Sequence, residues 1–128
     1  MELARLAGLS PAATLNRVRR LKETGLLASV RARLDAERAG FPLQVFLAVT
    51  LLEHDERSQA RFAKALAAIP GVLEADWVTG DTDALLRVVA RDVEDLQRVQ
   101  LMLHKGGAQR VLTLLRLGGI KPEAPLPV

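Results

Sequence analysis

Hydrophobic positions recur at two periods along this chain, and the switches between periods mark out its elements. Leu3, Leu6 and Ala7 have helical spacing, and Gly8 stops the pattern. Ser10 follows as a helix cap, with Pro11 at the first helical position, where its missing N–H costs nothing. The second helix runs to about Thr24, and Gly25 supplies a left-handed stop. Leu15, Val18 and Leu21 fall on one side of it, and Ala13, Asn16, Arg17 and Arg20 on the other. From Leu26 to Leu34 the period changes to two. Val30, Ala32 and Leu34 alternate with Ser29, Arg31 and Arg33, which predicts an extended, strand-like linker. Asp35 to Pro42 is a connector broken by Gly40 and Pro42.

Beyond the connector the pattern is regular. A strand is predicted over Leu43–Leu52, a helix from about Glu56 to Ile69 with Phe62, Leu66 and Ile69 inward, and a strand over Val72–Thr79. The turn Gly80-Asp81-Thr82-Asp83 makes a hairpin with a third strand, Ala84–Ala90. A helix starts near Asp92, with Leu96, Val99 and Leu103 as its buried stripe, and Gly106-Gly107 breaks it. A fourth strand covers about Ala108 to Leu117. The order β-α-β-β-α-β is that of a ferredoxin-like sandwich, with two helices on one face of a four-stranded antiparallel sheet. The predicted class is therefore α+β: a partial helix-turn-helix followed by that sandwich. Four segments result: a helix-turn-helix segment over 1–27, a linking strand and connector over 28–42, the sandwich domain over 43–121, and a Pro-rich, loose tail over 122–128.

Both faces of the predicted strands are apolar. In the first, Val45, Leu47, Val49 and Leu51 oppose Phe46, Ala48 and Leu52. A half-solvated antiparallel sheet should be polar on its open side, so a second subunit is expected to cover it. Composition narrows the class further. With 49% hydrophobic and 26% charged residues the chain is of globular type, and no apolar run is long enough to span a membrane. It holds no cysteine, which removes disulfides, thiolate metal sites and thiol nucleophiles together. No signal peptide is legible at the first residues, and a cytoplasmic location is expected. The net charge of +3 is unevenly spread. Residues 1–40 hold eight Lys/Arg and four Asp/Glu, a balance of +4, and the remaining residues hold ten and eleven, a balance of −1. A basic front joined to a near-neutral remainder is the footprint of a small nucleic-acid-binding piece attached to a domain with another task.

Two stretches carry a family likeness. Leu3-Ala4-Arg5-Leu6-Ala7-Gly8-Leu9-Ser10-Pro11, then Leu15 to Leu27 with its run Asn16-Arg17-Val18-Arg19-Arg20-Leu21, resembles the second and third DNA-binding helices of the Lrp/AsnC family of transcription regulators. Val78-Thr79-Gly80-Asp81-Thr82-Asp83-Ala84-Leu85-Leu86-Arg87-Val88 resembles a signature of that family's effector domain. Ile69-Pro70-Gly71-Val72 and Thr113 with Leu114 to Lys121 also fall where the family has similar residues, so the likeness covers essentially the whole chain. Three departures stand out. The family's first helix is absent, Thr82 replaces a frequent tyrosine, and Asp76 lies in a strand where small or apolar residues are common.

The resemblance implies a sequence-specific DNA-binding regulator responsive to an amino acid or related small molecule, with DNA, the effector and further copies of itself as partners. It implies a homodimer and a higher homo-oligomer, with no cofactor, no metal and no enzymatic activity. On a recognition helix, Asn and Arg pair with base edges and Arg clamps phosphates. The helix N-terminus enters the groove, so Ala12, Ala13 and Asn16 are placed for bases and Arg17, Arg19 and Arg20 for phosphates, with the cap Ser10 also among the DNA-binding residues. A merely solvated basic face is the competing explanation. Thr79, Gly80, Asp81 and Asp83 are the candidate effector residues. The aspartates supply acceptors for an ammonium, and the glycine turn exposes amides for a carboxylate. A plain turn also favours Gly and Asp. A divalent-cation site from Glu74, Asp76, Asp81 and Asp83 is the weaker alternative, since those acids lack a recognisable loop spacing. His54 and His104 are expected at the surface or at helix ends, and no nucleophile–base pair is evident. The rival functional reading is a stand-alone sensing and oligomerisation domain with degenerate DNA binding.

Overall fold

The computed structural model describes Ala4 and residues 8–128. The chain divides into two compact units, residues 1–33 and residues 34–128. The helix expected over Leu3, Leu6 and Ala7 lies outside the described residues, apart from Ala4.

In the first unit, helix α1 covers Pro11–Glu23. Ser10 is extended, and its hydroxyl accepts from the Ala13 amide at 3.1 Å, which satisfies one of the orphan donors of the first turn. At the other end, Thr24 and Gly25 turn the chain out, Gly25 at a φ of 78° that disfavours a side chain. The inward line of α1 differs from the one read in the sequence. Thr14 is buried and Val18 half-buried, whereas Leu15 is 52% exposed. At 100° per residue, Leu15 lies about 60° to one side of Val18, at the flank of the buried stripe. Residues 28–34, read as a linking strand, pair with no strand among the described residues, and an alternating pattern makes a ladder only where a partner strand exists.

The second unit is the four-stranded sandwich. Strand β1 is Leu43–Leu51, helix α2 Glu56–Ala67, β2 Val72–Trp77, β3 Ala84–Ala90, α3 Val93–Lys105 and β4 Ala108–Leu115. The sheet order is β2-β3-β1-β4, every neighbour antiparallel. Both helices start on an aspartate cap: Asp55 accepts from the Ser58 amide and Asp92 from the Asp95 amide. Predicted boundaries run long at four ends, β1 stopping at Leu51 rather than Leu52. Strand β2 stops at Trp77 rather than Thr79, β4 at Leu115 rather than Leu117, and α2 at Ala67.

Alternation along β1 puts Val45, Leu47, Val49 and Leu51 under the helices, all at most 2% exposed. They pack with Leu86 and Val88 of β3, Phe62 of α2, and Val99 and Leu103 of α3. Each such side chain contributes roughly 1.5–3 kcal/mol on burial. The helices approach closely where Gly106 ends α3: a Cβ there would stand 2.7 Å from the Cβ of Ala65. On the other face of the sheet, Phe46, Leu85, Leu112 and Leu114 are between 36% and 49% exposed. Strand pairing places them together, since Phe46 is opposite Leu114 and Ala48 is opposite both Leu85 and Leu112.

Candidate effector turn and candidate DNA-facing helix

The six residues between Trp77 and Ala84 form a loop closed at its neck. The Val78 amide donates to the Asp83 carbonyl at 3.0 Å. The Asp83 amide does not return the bond. It donates across to the Val49 carbonyl of β1 at 2.9 Å, which is why the hairpin ladder ends at Trp77. Gly80 has a φ of 109°, a conformation that L side chains rarely adopt, so the turn needs glycine there.

Asp83 ties this loop to the end of β1. Its Oδ2 accepts from the Leu51 amide at 2.8 Å and from His54 Nε2 at 2.9 Å. The Leu51 amide, and after it the His54 hydrogen bond and charge, hold the Asp83 carboxyl below the usual aspartate range, against a smaller opposing effect of desolvation. The Thr50 hydroxyl donates to the Asp81 carbonyl at 3.4 Å. One end of β1 thus positions the whole turn. The Asp81 carboxylate is exposed and makes no hydrogen bond or ion pair among the described residues. Thr79 and Gly80 are exposed, and Thr82 is half-buried.

The two aspartates singled out in the sequence therefore differ in kind: one is free, the other is engaged by its own chain. The anchors, Leu51, Thr50 and His54, were not legible as site residues. His54 lies 29 positions from Asp83, and no local pattern links them. It is 60% exposed, at the surface as expected, and it has a partner. Of the acids considered for a cation, Glu74 faces Arg87 at 3.5 Å instead, and no group of three potential ligands occurs among the described residues. Two surface recesses of about 400 and 510 Å³ lie elsewhere. One is between the C-terminal ends of α2 and α3, around Ala65, Ala68 and Met102, and one is at the start of α2, around Glu53 and Ser58. Neither touches the turn.

On α1, Ala12, Asn16, Arg17, Arg19 and Arg20 are exposed and Ala13 is half-buried. At 100° per residue they cover one broad arc, opposite the line of Thr14 and Val18. Ser10 is exposed, its hydroxyl committed to the cap. No acidic residue occupies the first turn, which leaves the positive end of the helix dipole uncompensated by this helix. Among the described residues no helix is long and apolar enough to cross a membrane.

Comparison with known proteins places this geometry. Residues 44–126 match the family model of the Lrp/AsnC ligand binding domain. The Bkd operon transcriptional regulator of Pseudomonas aeruginosa is 40% identical over 96 residues, which are 75% of this chain and 63% of that protein. The leucine-responsive regulatory protein of Rhizobium meliloti is 37% identical over 130 residues, covering 100% of this chain and 83% of that one. A transcriptional regulator of Neisseria meningitidis, solved as its L-Met complex, superposes with a TM-score of 0.82 at 27% identity, over 97% of this chain and 82% of that one. The α+β fold is shared with the solved Neisseria regulator, and the family-model match takes in the turn and nearly the whole sheet. The chain belongs to the Lrp/AsnC family of transcription regulators.

Proposed function

We propose that this protein is a sequence-specific DNA-binding transcription regulator whose output is set by an amino acid or related small molecule, and that it works in the cytoplasm as a homodimer and higher homo-oligomer. The observation that carries the reading is the pairing of two features in one chain of this family: an exposed arc of Asn16, Arg17, Arg19 and Arg20 on a well-capped helix, and an exposed turn held in a fixed shape.

The effector site is the turn, through Thr79, Gly80, Asp81 and Asp83. The free carboxylate of Asp81 accepts the effector ammonium, and turn amides beside Gly80 receive its carboxylate. Asp83 keeps the loop in place through Leu51 and His54. Thr79, Gly80 and Asp81 are exposed, and in this reading a second chain completes the cleft over them. On α1, Asn16 with Ser10, Ala12 and Ala13 stands nearest the base edges, and the three arginines bind phosphate.

Calorimetric titration of the full chain with the twenty amino acids tests the effector reading. L-methionine, the ligand of the Neisseria structure, is the first to try. Asp81→Ala is expected to weaken binding by about 1.5–3 kcal/mol, the worth of a charge-assisted hydrogen bond. Binding of no amino acid, or of one with undiminished affinity in that variant, would refute the assignment. Fluorescence anisotropy with duplex DNA tests the other half. A chain that binds an amino acid but no duplex at low salt would instead be the sensing domain without DNA binding.

A further inference from the structure

The layer of helices carries a recess on its outer side that neither the effector turn nor α1 uses. Its volume is about 400 Å³, and it is lined by Arg61, Lys64, Ala65 and Ala68 of α2 and its cap, and by Met102 and Lys105 of α3, together with Gly106. Helical period explains the lining. Phe62, Leu66 and Ile69 turn inward to the core, so Arg61, Lys64 and Ala68 fall on the outer side of α2. On α3, Val99 and Leu103 turn inward, and Met102 and Lys105 stay exposed. Small residues let the helices meet there and leave a hollow rather than a ridge: Gly106 packs so close to Ala65 that a Cβ on it would stand 2.7 Å away. The charged residues of the lining are all basic. The Arg61 guanidinium donates to the Lys105 carbonyl, which fixes it at the rim. Lys64 and Lys105 have no ion-pair partner among the described residues. Arg57, one turn before Arg61 and exposed, extends the basic line along α2. The acids nearest to it in sequence on the other side, Glu53 and Asp55, are engaged by Ser58.

Lys64 and Lys105 stand in the last turns of their helices, where a cation offsets the negative end of the helix dipole. That role asks for charge alone. It gives no reason for Met102, 41% exposed, and Ala68 to lie open between the cations. Lysine stems are apolar and their heads stay in water, so the walls of the recess are apolar below and positive above. Methionine adapts to different partners, and it is enriched at interfaces together with arginine. A DNA backbone would meet the charges and leave the apolar floor unfilled. A small ligand would be held on too few sides: of the lining residues only Gly106 is buried, whereas ligand sites cover most of what they bind. A helix with an apolar stripe flanked by acids, laid into the groove between two helices, meets both features at once. We propose that this recess docks an acidic amphipathic helix of a partner protein, with Arg61, Lys64 and Lys105 facing its carboxylates and Ala65, Ala68 and Met102 its apolar side chains. The recess lies on the helix side of the sandwich, so it stays accessible when the opposite face of the sheet is covered. It uses no residue of the effector turn or of α1 and stands independently of the function proposed above.

The probe is a fluorescein-labelled helical peptide of about 15 residues, roughly four turns, with leucines one turn apart and glutamates flanking them. Fluorescence anisotropy of this peptide with the full chain should show saturable binding at micromolar concentration. A peptide with lysine for glutamate should not bind. One with serine for leucine should bind about tenfold more weakly, since it has no apolar side chain for the floor. Lys64→Glu and Lys105→Glu should each raise the Kd of the acidic peptide roughly tenfold by setting carboxylate against carboxylate, with circular dichroism to verify folding. Lys64→Gln and Lys105→Gln, which add no like charge, should weaken it less. The chain with both lysines changed to glutamate should bind the lysine peptide more tightly than the parent does. Undiminished affinity in the glutamate variants would put the peptide elsewhere, on the arginines of α1 for example, and overturn the proposal. Equal binding of the serine peptide, or no binding of the acidic peptide up to millimolar concentration, would overturn it as well. Duplex DNA is titrated alongside. Duplex binding that falls in Lys64→Glu and Lys105→Glu, in a chain that binds no peptide, would make the recess a phosphate contact instead.

Discussion

Asp83 is anchored by groups far from it in sequence. One oxygen of its carboxylate serves the Leu51 amide and His54 together. Removing it by Asp83→Ala leaves the Leu51 N–H, part-buried, without that acceptor, a cost of about 1–3 kcal/mol. Its lowered pKa also gives stability a pH dependence. The carboxyl ionises more readily in the folded chain than in the unfolded one, so its contribution is present above the unfolded value, near pH 4, and is lost as pH falls through the folded one. Asp55 and Asp95 act in the same direction, Asp55 chiefly through the Ser58 amide and Asp95 chiefly through the Arg91 amide. Urea midpoints measured from neutral pH down to about pH 2.5 should fall below about pH 4. Asp83→Asn should be less stable than the parent at neutral pH, with the difference shrinking in acid. A constant difference across the range would mean that the charge of Asp83 plays no part.

At the scale of elements, the helices are set by their ends. Ser10, Asp55 and Asp92 each cap a helix through an amide three residues on, and all three are short polar residues just before an amphipathic run. The α2–α3 approach depends on Gly106. Gly106→Ala forces its methyl against Ala65, and chemical denaturation should show a loss of about 1–3 kcal/mol, the usual cost of overpacking. Helix α1 yields a different kind of prediction, on binding rather than stability. Arg17→Ala and Arg20→Ala should weaken DNA binding on all sequences and reduce the salt slope by about one unit each. Asn16→Ala should relax sequence preference and leave the slope unchanged. Binding isotherms on cognate and scrambled duplexes at several salt concentrations separate these outcomes.

At the scale of the whole molecule, the open sheet face decides behaviour. Phe46, Leu85, Leu112 and Leu114 form one apolar surface on a face that the helices leave uncovered. Covering it against a second copy gains about 25 cal/mol for each Å² of apolar area removed from water. Light scattering should therefore give a mass of at least two chains at micromolar concentration. Phe46→Asp should lower it by placing an unpaired carboxylate in the middle of that surface. A mass of one chain throughout would mean that the face is solvated in isolation.

Much of the fold was legible because it follows from local period and punctuation. The alternation of Val45, Leu47, Val49 and Leu51 fixes which side of β1 is buried, and Gly80 fixes where the hairpin turns. The cap Ser10 and the stop Gly25 bound α1. The turn was legible as a candidate site by the same means, together with a family resemblance. The sequence could not show which of its aspartates is free. That depends on β1 ending beside β3, so that Val49, Leu51 and His54 meet residue 83 across some thirty positions of chain. Nor could it place Leu15, since a helix wheel gives directions and only the packed neighbours decide which direction is inward. The alternation over residues 28–34 is a property of the chain, but a strand is a property of a pair, and no strand among the described residues pairs with it. Local chemistry determined the elements and their faces. Tertiary structure decided which polar groups were already satisfied, because hydrogen bonds between distant segments exist only once the sheet has brought them together.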